Sequence, residues 1–324
     1  MTWLITGGAG YIGGHVVKEL AEAGEPVVVL DDLSSGSADR LPAGVPLVVG
    51  STLDRPLLDK VIAEHGVTGI LHIAAKKQVG ESVSEPLHYY QENVEGLRLV
   101  LEAAVAGGVR RILLSSSAAV YGMPDVDLVT ESTPCAPINP YGETKLVGEW
   151  LLNASATAYG MSTVALRYFN VAGAASPELS DEGVTNLVPM VFERLAAGQP
   201  PRVFGADYPT PDGTCVRDFI HVSDIASAHL AAVRRLNAAG PQERVNLALN
   251  IGRGEGVSVR EMLAEIGAVT GLDTTPEITP RRAGDPARVV AAADLIRQEL
   301  GWSARHDVRE MVASAWAGWQ HRHP

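Results

Sequence analysis

TWLITGGAGYIG, residues 2–13, is the stretch that decides the fold. A short apolar, β-prone run, Trp3–Thr6, leads straight into glycines, and a segment of helical spacing begins at Tyr11. Gly7, Gly10 and Gly13 stand between the two, and Gly8-x-Gly10-x-x-Gly13 also has the spacing of a dinucleotide-binding turn. Glycine permits the tight turn and lets main chain approach a pyrophosphate, while the following helix aims its unpaired N–H groups at that charge. In a chain with 33 glycines the triplet alone is weak evidence, and the context strengthens it. Pro26–Asp31 (PVVVLD) reads as a buried strand ending in an acid eighteen residues after Gly13, where a carboxylate accepts the hydroxyls of an adenosine ribose. Asp31 and Asp32 repel a 2′-phosphate and no arginine follows closely, so NAD is expected over NADP.

Outward from this stretch the chain alternates. Pro46–Val49, Gly69–His72, Arg110–Ser115 and Thr163–Tyr168 read as strands; Tyr11–Ala23, Pro56–His65, Leu87–Ala106 and Tyr141–Tyr159 read as helices. Alternation of this kind predicts an α/β fold, a Rossmann-type doubly wound parallel sheet with helices on both faces. After about Asn170 prolines and glycines become frequent, as in a domain built around loops, with Ser223–Leu236 a helix and Arg244–Asn250 a strand. The expected division is residues 1–170 as the NAD-binding Rossmann domain, with 217–250 returning to it, and 171–324 as a smaller α/β substrate domain.

The chain's 324 residues, 46% hydrophobic and 20% charged, are ordinary for a globular protein with a sizeable core. A net charge of −12 argues against nucleic acid, whose phosphates need a basic face. No apolar run approaches the roughly 20 residues that span a bilayer, and no secretory leader is visible. Cys135 and Cys215 have no zinc-site or disulfide spacing. A cytoplasmic protein without a metal is expected.

Tyr141-Gly-Glu-Thr-Lys145 puts a phenol and an ammonium on one helical face. A free tyrosine has a pKa near 10, and a neighbouring ammonium together with a positive nicotinamide ring would favour phenolate and make it a usable base. Upstream, RRILLSSSAAVYG (110–122) carries an apolar strand into three serines, at the strand end that faces the ligand crevice in such sheets. Ser117 is then placed to hydrogen-bond the same hydroxyl that Tyr141 deprotonates, with Lys145 as the third catalytic residue.

With these motifs in view, the chain resembles the UDP-galactose (UDP-glucose) 4-epimerase family of extended short-chain dehydrogenases. Besides TGGAGYIG the likeness rests on VGESV (79–83), SSSAAVYG (115–122), PYGETK (140–145), LRYFNVAGA (166–174), FGADYPTPDGTCVRDFIHVSD (204–224) and the closing HRHP. It implies that Tyr11, Ile12, Asp31, Ala74, Lys77, Asn93, Tyr141, Lys145 and Phe169 contact NAD, with Asp32 beside them. It implies that Ser117, Tyr141, Asn170, Asn186, Leu187, Val203, Phe204, Arg217, Arg282, Asp285 and Val289 line the UDP-sugar site, Arg217 and Arg282 pairing with the diphosphate. Where the family has an acid after Gly50, for the adenine amino group, this chain has Ser51 and then Thr52. In Ile73-Ala74-Ala75-Lys76-Lys77 the register of VGES assigns the family lysine to Lys77, and Lys76 can share its work.

The implied reaction is transient oxidation at C4 of a UDP-sugar by a retained NAD, with a homodimer through a helical face as the family's assembly. Epimerisation of another UDP-sugar, a uronate or pentose, is an alternative. A 4,6-dehydratase needs an acid and a base just after the serine; Ala118 and Ala119 stand there and transfer no proton. A non-catalytic NAD-binding sensor is a further alternative, one with no need for Ser117, Tyr141 and Lys145 together.

Overall fold

Burial on both faces makes a parallel strand a continuous apolar run rather than an alternating one, and β1 (Thr2–Thr6) and β2 (Val27–Asp31) are such strands, β2 buried at every residue. The computed structural model describes residues 1–240, 243–282 and 284–323. Ala283, within the segment 281–289, and Pro324, the last residue of HRHP, lie outside the described residues. β3 (Leu47–Val49), β4 (Val67–His72), β5 (Arg111–Ser117), β6 (Ser162–Tyr168) and, from far along the chain, β10 (Asn246–Ile251) complete a seven-stranded sheet of order β10-β6-β5-β4-β1-β2-β3. β1 pairs in parallel with both β2 and β4, β2 with β3, and β4 with β5. The chain runs outward from β1 to β3, then returns and runs the other way from β4. That reversal opens a crevice at the carboxyl ends of β1 and β4, the place where such sheets bind ligands.

Helices α1 (Tyr11–Glu22), α2 (Arg55–Glu64), α3 (Val79–Ser84), α4 (Pro86–Tyr89), α5 (Gly96–Ala106) and α6 (Pro140–Tyr159) belong to this half. The helix expected over Leu87–Ala106 runs unbroken from Pro86 to Ala106 but changes its winding: α4 passes into a π-helical stretch, Tyr90–Glu95, before α5. α6 starts where Asn139 Oδ1 accepts the Gly142 N–H at 2.9 Å with Pro140 in its first turn, and stops at Gly160, whose φ is +62°. Both ends follow capping rules that can be read in the sequence.

The chain divides into two compact units, the first made of residues 1–122, 135–167 and 226–249, the second of 123–134, 168–225 and those from 250 onward. The return to the first unit therefore begins at Ala226, not at 217. Val216–His221 is β9, the central strand of the second unit's sheet, pairing with β7 (Asn170–Ala172), β11 (Gly256–Ser258) and β13 (Arg288–Val289). β8 (Arg202–Phe204) pairs with β12 (Glu277–Thr279). This half is also more regular than its prolines and glycines imply. α7 (Leu187–Ala196), α9 (Val259–Thr270), α10 (Asp294–Leu300) and α11 (Val308–Arg322) punctuate it, whereas α8 (Val222–Ala238) belongs from Ala226 onward to the first unit. Phe192, Met262, Leu263, Ile266, Met311, Val312 and Trp319 make the second unit's core. Among the described residues no helix is long and apolar enough to cross a membrane.

Candidate active site

In the first unit the glycine turn is built for close approach. Gly7 has φ +74°, and a Cβ there would lie 2.6 Å from the main-chain nitrogen of Ala74, which donates to Thr6 O across the crevice at 3.0 Å. A Cβ on Gly13 would lie 2.0 Å from Gly7 O, so neither position admits a side chain. α1 begins at Gly10 with no side-chain cap and no acid in its first turn. Tyr11 and Ile12 open the helix, whose N-terminal end favours an anion. Asp31 is buried; one carboxylate oxygen accepts Ala9 N–H and the other Leu33 N–H, both at 2.9 Å. It thus pins the glycine turn while each oxygen keeps a lone pair for a ribose hydroxyl. Asp32 is exposed and accepts Ser34 N–H. Partial burial pushes its carboxyl up, but the Ser34 hydroxyl and N–H and the nearby Lys76 bring it below the ordinary value. These features fit a dinucleotide.

Ser51 Oγ accepts Leu53 N–H at 3.1 Å and retains its own proton to donate. Thr52 is buried against Gly96. Lys77 Nζ lies 6.0 Å from the centroid of the Tyr11 ring. Asn93, from the π-helical stretch, is buried; its Oδ1 accepts Lys76 N–H at 2.8 Å, and its Nδ2 donates to Lys76 O and Thr144 Oγ1, both at 3.0 Å. π-Turns recur at functional sites for this kind of re-aiming.

The three residues expected to be catalytic come together between the end of β5 and one face of α6. Ser117 Oγ accepts Ala119 N–H at 3.2 Å, and its hydroxyl stands near enough to the Tyr141 phenol to favour phenolate. Lys145 is buried, and its Nζ donates to Ser115 O at 2.9 Å, 5.9 Å from the Tyr141 ring centroid. Burial lowers the Lys145 ammonium to about 8, against Glu149, which raises it. Lys145 is expected to act on Tyr141 together with a positive nicotinamide ring, and in this structure the lysine alone does not lower the phenol. Burial raises the phenol above its ordinary value of 10.0, with only the Ser117 bond opposing. The lysine's bond goes to the strand, and the phenol is neutral at neutral pH until further positive charge arrives.

One turn beyond Lys145 stands a group that sequence reasoning missed. Glu149 is buried and accepts from Ser116 Oγ at 2.5 Å, Arg167 Nε at 2.9 Å and Arg167 Nη2 at 2.6 Å; Arg167 Nη1 also donates to Tyr121 Oη at 2.7 Å. Three consecutive serines thus meet three residues at four-residue spacing on α6: Ser117 with Tyr141, Ser115 with Lys145, Ser116 with Glu149. The available signal was a second charged residue at i+4 on a face that the Tyr-x-x-x-Lys spacing already turned inward.

In the second unit, Asp285 gathers three of the residues expected at the substrate. Arg282 Nε donates to it at 2.9 Å, Arg217 Nη2 lies 4.0 Å away, and the Arg282 guanidinium stacks 4.6 Å from the Phe204 ring centroid. Arg217 Nη1 donates to Val216 O and Pro286 O, so its fork is already aimed. Asn186 precedes α7 without capping it, its Nδ2 donating instead to Asp181 at 2.9 Å. The N–H groups of the turn that starts with Leu187 are left open. Asn170 is exposed at the start of β7; Phe169 is buried, its N–H bonded to Ile251 O. Val203, also expected at the substrate, is buried in β8 with its side chain in the hydrophobic core. Val289 is buried in β13, opposite Arg217 in register.

A parallel sheet of this order, a glycine turn at its switch point and a Ser–Tyr–Lys cluster define a Rossmann-fold enzyme of the short-chain dehydrogenase type. The chain belongs to the NAD dependent epimerase/dehydratase family, whose model matches residues 3–248. It is 42% identical over 321 residues to a UDP-glucose 4-epimerase of Azospirillum brasilense, covering 98% of this chain and 91% of that one. A crystal structure of UDP-glucose 4-epimerase from Stenotrophomonas maltophila, with bound NAD and formylated UDP-arabinopyranose, superposes with a TM-score of 0.94 at 40% identity, covering 100% of both chains. The UDP-Glc/GlcNAc 4-epimerase of Campylobacter jejuni superposes with a TM-score of 0.86 at 36% identity, covering 99% of each.

Proposed function

We propose that this protein is a UDP-sugar 4-epimerase that interconverts UDP-galactose and UDP-glucose through a transient 4-keto sugar, with NAD as a retained prosthetic group. The observation that carries the reading is Ser117 at the end of β5 beside Tyr141, with Lys145 anchored to Ser115 O one turn on and Ala118 and Ala119 following the serine. Such a cluster moves one hydroxyl proton and has no second acid–base pair for dehydration.

We assign the pyrophosphate of NAD to the Gly7–Gly13 turn and the start of α1 through Tyr11 and Ile12, and the adenosine ribose to Asp31 with Asp32 nearby. Ser51 and Thr52 take the adenine end; Ala74, Lys77, Asn93, Lys145 and Phe169 complete the cofactor set. Bound NAD+ supplies the positive ring and the acceptor for hydride from C4. Tyr141 takes the C4 hydroxyl proton while Ser117 steers that hydroxyl, and the same phenol returns the proton after the keto sugar has turned over. Lys145 holds positive charge beside the phenol and fixes α6 to β5. We assign the diphosphate to Arg217, Arg282 and the Asn186–Leu187 helix start, and the uridine end to Phe204 and Asp285, with Asn170 and Val289 toward the sugar.

A homodimer is supported by the family resemblance and by apolar side chains exposed on the first unit's helices: Val83, Leu87 and Trp150 are 64%, 84% and 60% exposed. A second sugar pair, UDP-N-acetylglucosamine and its C4 epimer, is favoured by the small side chain of Val289 and by the likeness to the Campylobacter jejuni enzyme. The test is a nucleotide-sugar panel followed by NMR without added cofactor. UDP-galactose should yield UDP-glucose; conversion of a uronate or pentose alone would transfer the reading to that sugar, and no conversion at all would overturn it.

A further inference from the structure

Lys77 is flanked by two residues whose main chains are each held by one side chain. Lys76 is bound at both its N–H and its C=O by Asn93. Gln78, on the other side, is bound by Tyr89: the phenol oxygen accepts Gln78 N–H at 2.8 Å, and its single proton points between Gln78 O at 2.8 Å and Glu81 Oε2 at 2.7 Å. Tyr89 is fully buried. Burial and the bond to Glu81 raise its phenol well above the ordinary range, so it stays a protonated donor wherever the enzyme works. Tyr89 and Asn93 lie four residues apart across the passage from α4 into the π-helical stretch, so one element clamps the loop on both sides of Lys77.

We infer that Tyr89 is a positioning residue for the cofactor: with Asn93 it fixes the 76–78 loop so that Lys77 is presented above Tyr11 at the start of α1. The inference rests on the assignment of Lys77 to NAD. A four-carbon side chain on a free loop spreads its charge over many rotamers, and pinning the main chain on both sides removes that freedom before the ligand arrives. Among the described residues the Tyr89 hydroxyl bonds only Gln78 and Glu81 and none of Ser117, Tyr141 and Lys145, so its loss acts on how long NAD stays rather than on the chemical step.

Tyr89→Phe keeps the ring and removes only the hydroxyl, stranding the Gln78 N–H. NAD release from the purified holoenzyme, followed by repeated ultrafiltration and assay of the filtrate, should be roughly three- to tenfold faster than wild type, the worth of one neutral hydrogen bond. Turnover with NAD in excess should stay within about twofold. Thr163→Val is the control, because it also removes a buried side-chain hydrogen bond, to Asn246 at 2.8 Å; it should release NAD at the wild-type rate. Equal release from Tyr89→Phe and Thr163→Val would reduce Tyr89 to general stability and overturn the inference. Lys77→Met separates the two layers. Fast release from Lys77→Met with normal release from Tyr89→Phe sinks the inference alone, and wild-type release from Lys77→Met sinks the Lys77 assignment and the inference with it. In NAD-stripped wild type the Lys76 and Gln78 amides should already exchange slowly, because Asn93 and Tyr89 hold them without ligand; fast exchange at both would overturn the clamp independently of any variant.

Discussion

The ammonium of Lys145 is bonded to the main-chain oxygen of Ser115 at 2.9 Å and stands 5.9 Å from the centre of the Tyr141 ring. The lysine therefore ties the catalytic helix to the strand that carries Ser117, and its charge reaches the phenol only across space. Burial raises this phenol and leaves it protonated, so the proton-accepting role proposed for Tyr141 is conditional on the positive ring of NAD+.

Tyr141→Phe keeps packing and cofactor but removes the acceptor. Turnover should fall by roughly 10²–10⁴-fold while extracted NAD stays at the wild-type amount. The wild-type minus Tyr141→Phe absorbance titration should place the Tyr141 phenol above 10 in NAD-stripped protein, the side to which burial moves it, and lower once NAD+ is loaded. Turnover within twofold of wild type would remove Tyr141 from the mechanism.

Glu149 and Arg167 form a buried pair with side chains only 6% and 7% exposed. Removing one partner leaves an uncompensated charge, costing about 3–5 kcal/mol. Arg167→Met should therefore lower the urea midpoint markedly, whereas Arg98→Ala, which breaks exposed pairs with Glu95 and Glu102, should leave it almost unchanged. Equal midpoints for the two variants would contradict the role given to Glu149 in registering α6 on β5.

His72 sits wholly buried beside Thr6, its pKa lowered from 6.5 to about 3 by burial and then by the charge of Lys145. Between those values the unfolded chain binds a proton that the folded one refuses, so stability falls as pH drops from 6.5 toward 3, by an amount on the order of 5 kcal/mol at full titration. Asp218 acts oppositely: burial raises its carboxyl from 3.8 to about 6 despite three main-chain N–H bonds, so its contribution is lost as pH rises through 6. Comparing wild type with His72→Asn cancels Asp218 and isolates the histidine. The variant should have the flatter acid limb; parallel limbs would refute the assignment.

Much of this was legible because long, strongly patterned segments announce themselves. PVVVLD has only one way to be buried, and Asn139-Pro140 with Gly160 marks both ends of α6. The second half was harder for a physical reason: its strands are two to six residues long, and β9 places Arg217, Asp218 and His221 among its apolar positions. Asp218 is buried only because Arg253, Gly254 and Ala291 donate to it, partners no local window contains. Ser258-Val-Arg-Glu261 and Asp307-Val-Arg-Glu310, by contrast, are capping boxes that could have marked α9 and α11. Glu149 went unnoticed because its partner Arg167 comes from another element.

Val289 bears on sugar size. Its side chain is small and buried in β13 opposite Arg217, so a tyrosine there must push into neighbouring space. Val289→Tyr should suppress turnover of UDP-N-acetylglucosamine while sparing UDP-galactose, because a clash acts against the larger ligand. A wild type that already ignores the N-acetylated pair would contradict the open-pocket reading.

The central claim, that C4 is inverted by taking a hydride away and giving it back, is tested most directly with UDP-galactose deuterated at C4, incubated in ordinary water with purified protein and no added cofactor. The account expects UDP-glucose that keeps its deuterium at C4, because the label leaves and returns as hydride without meeting solvent. UDP-glucose carrying protium at C4 would mean that the hydrogen left as a proton, and would contradict the account.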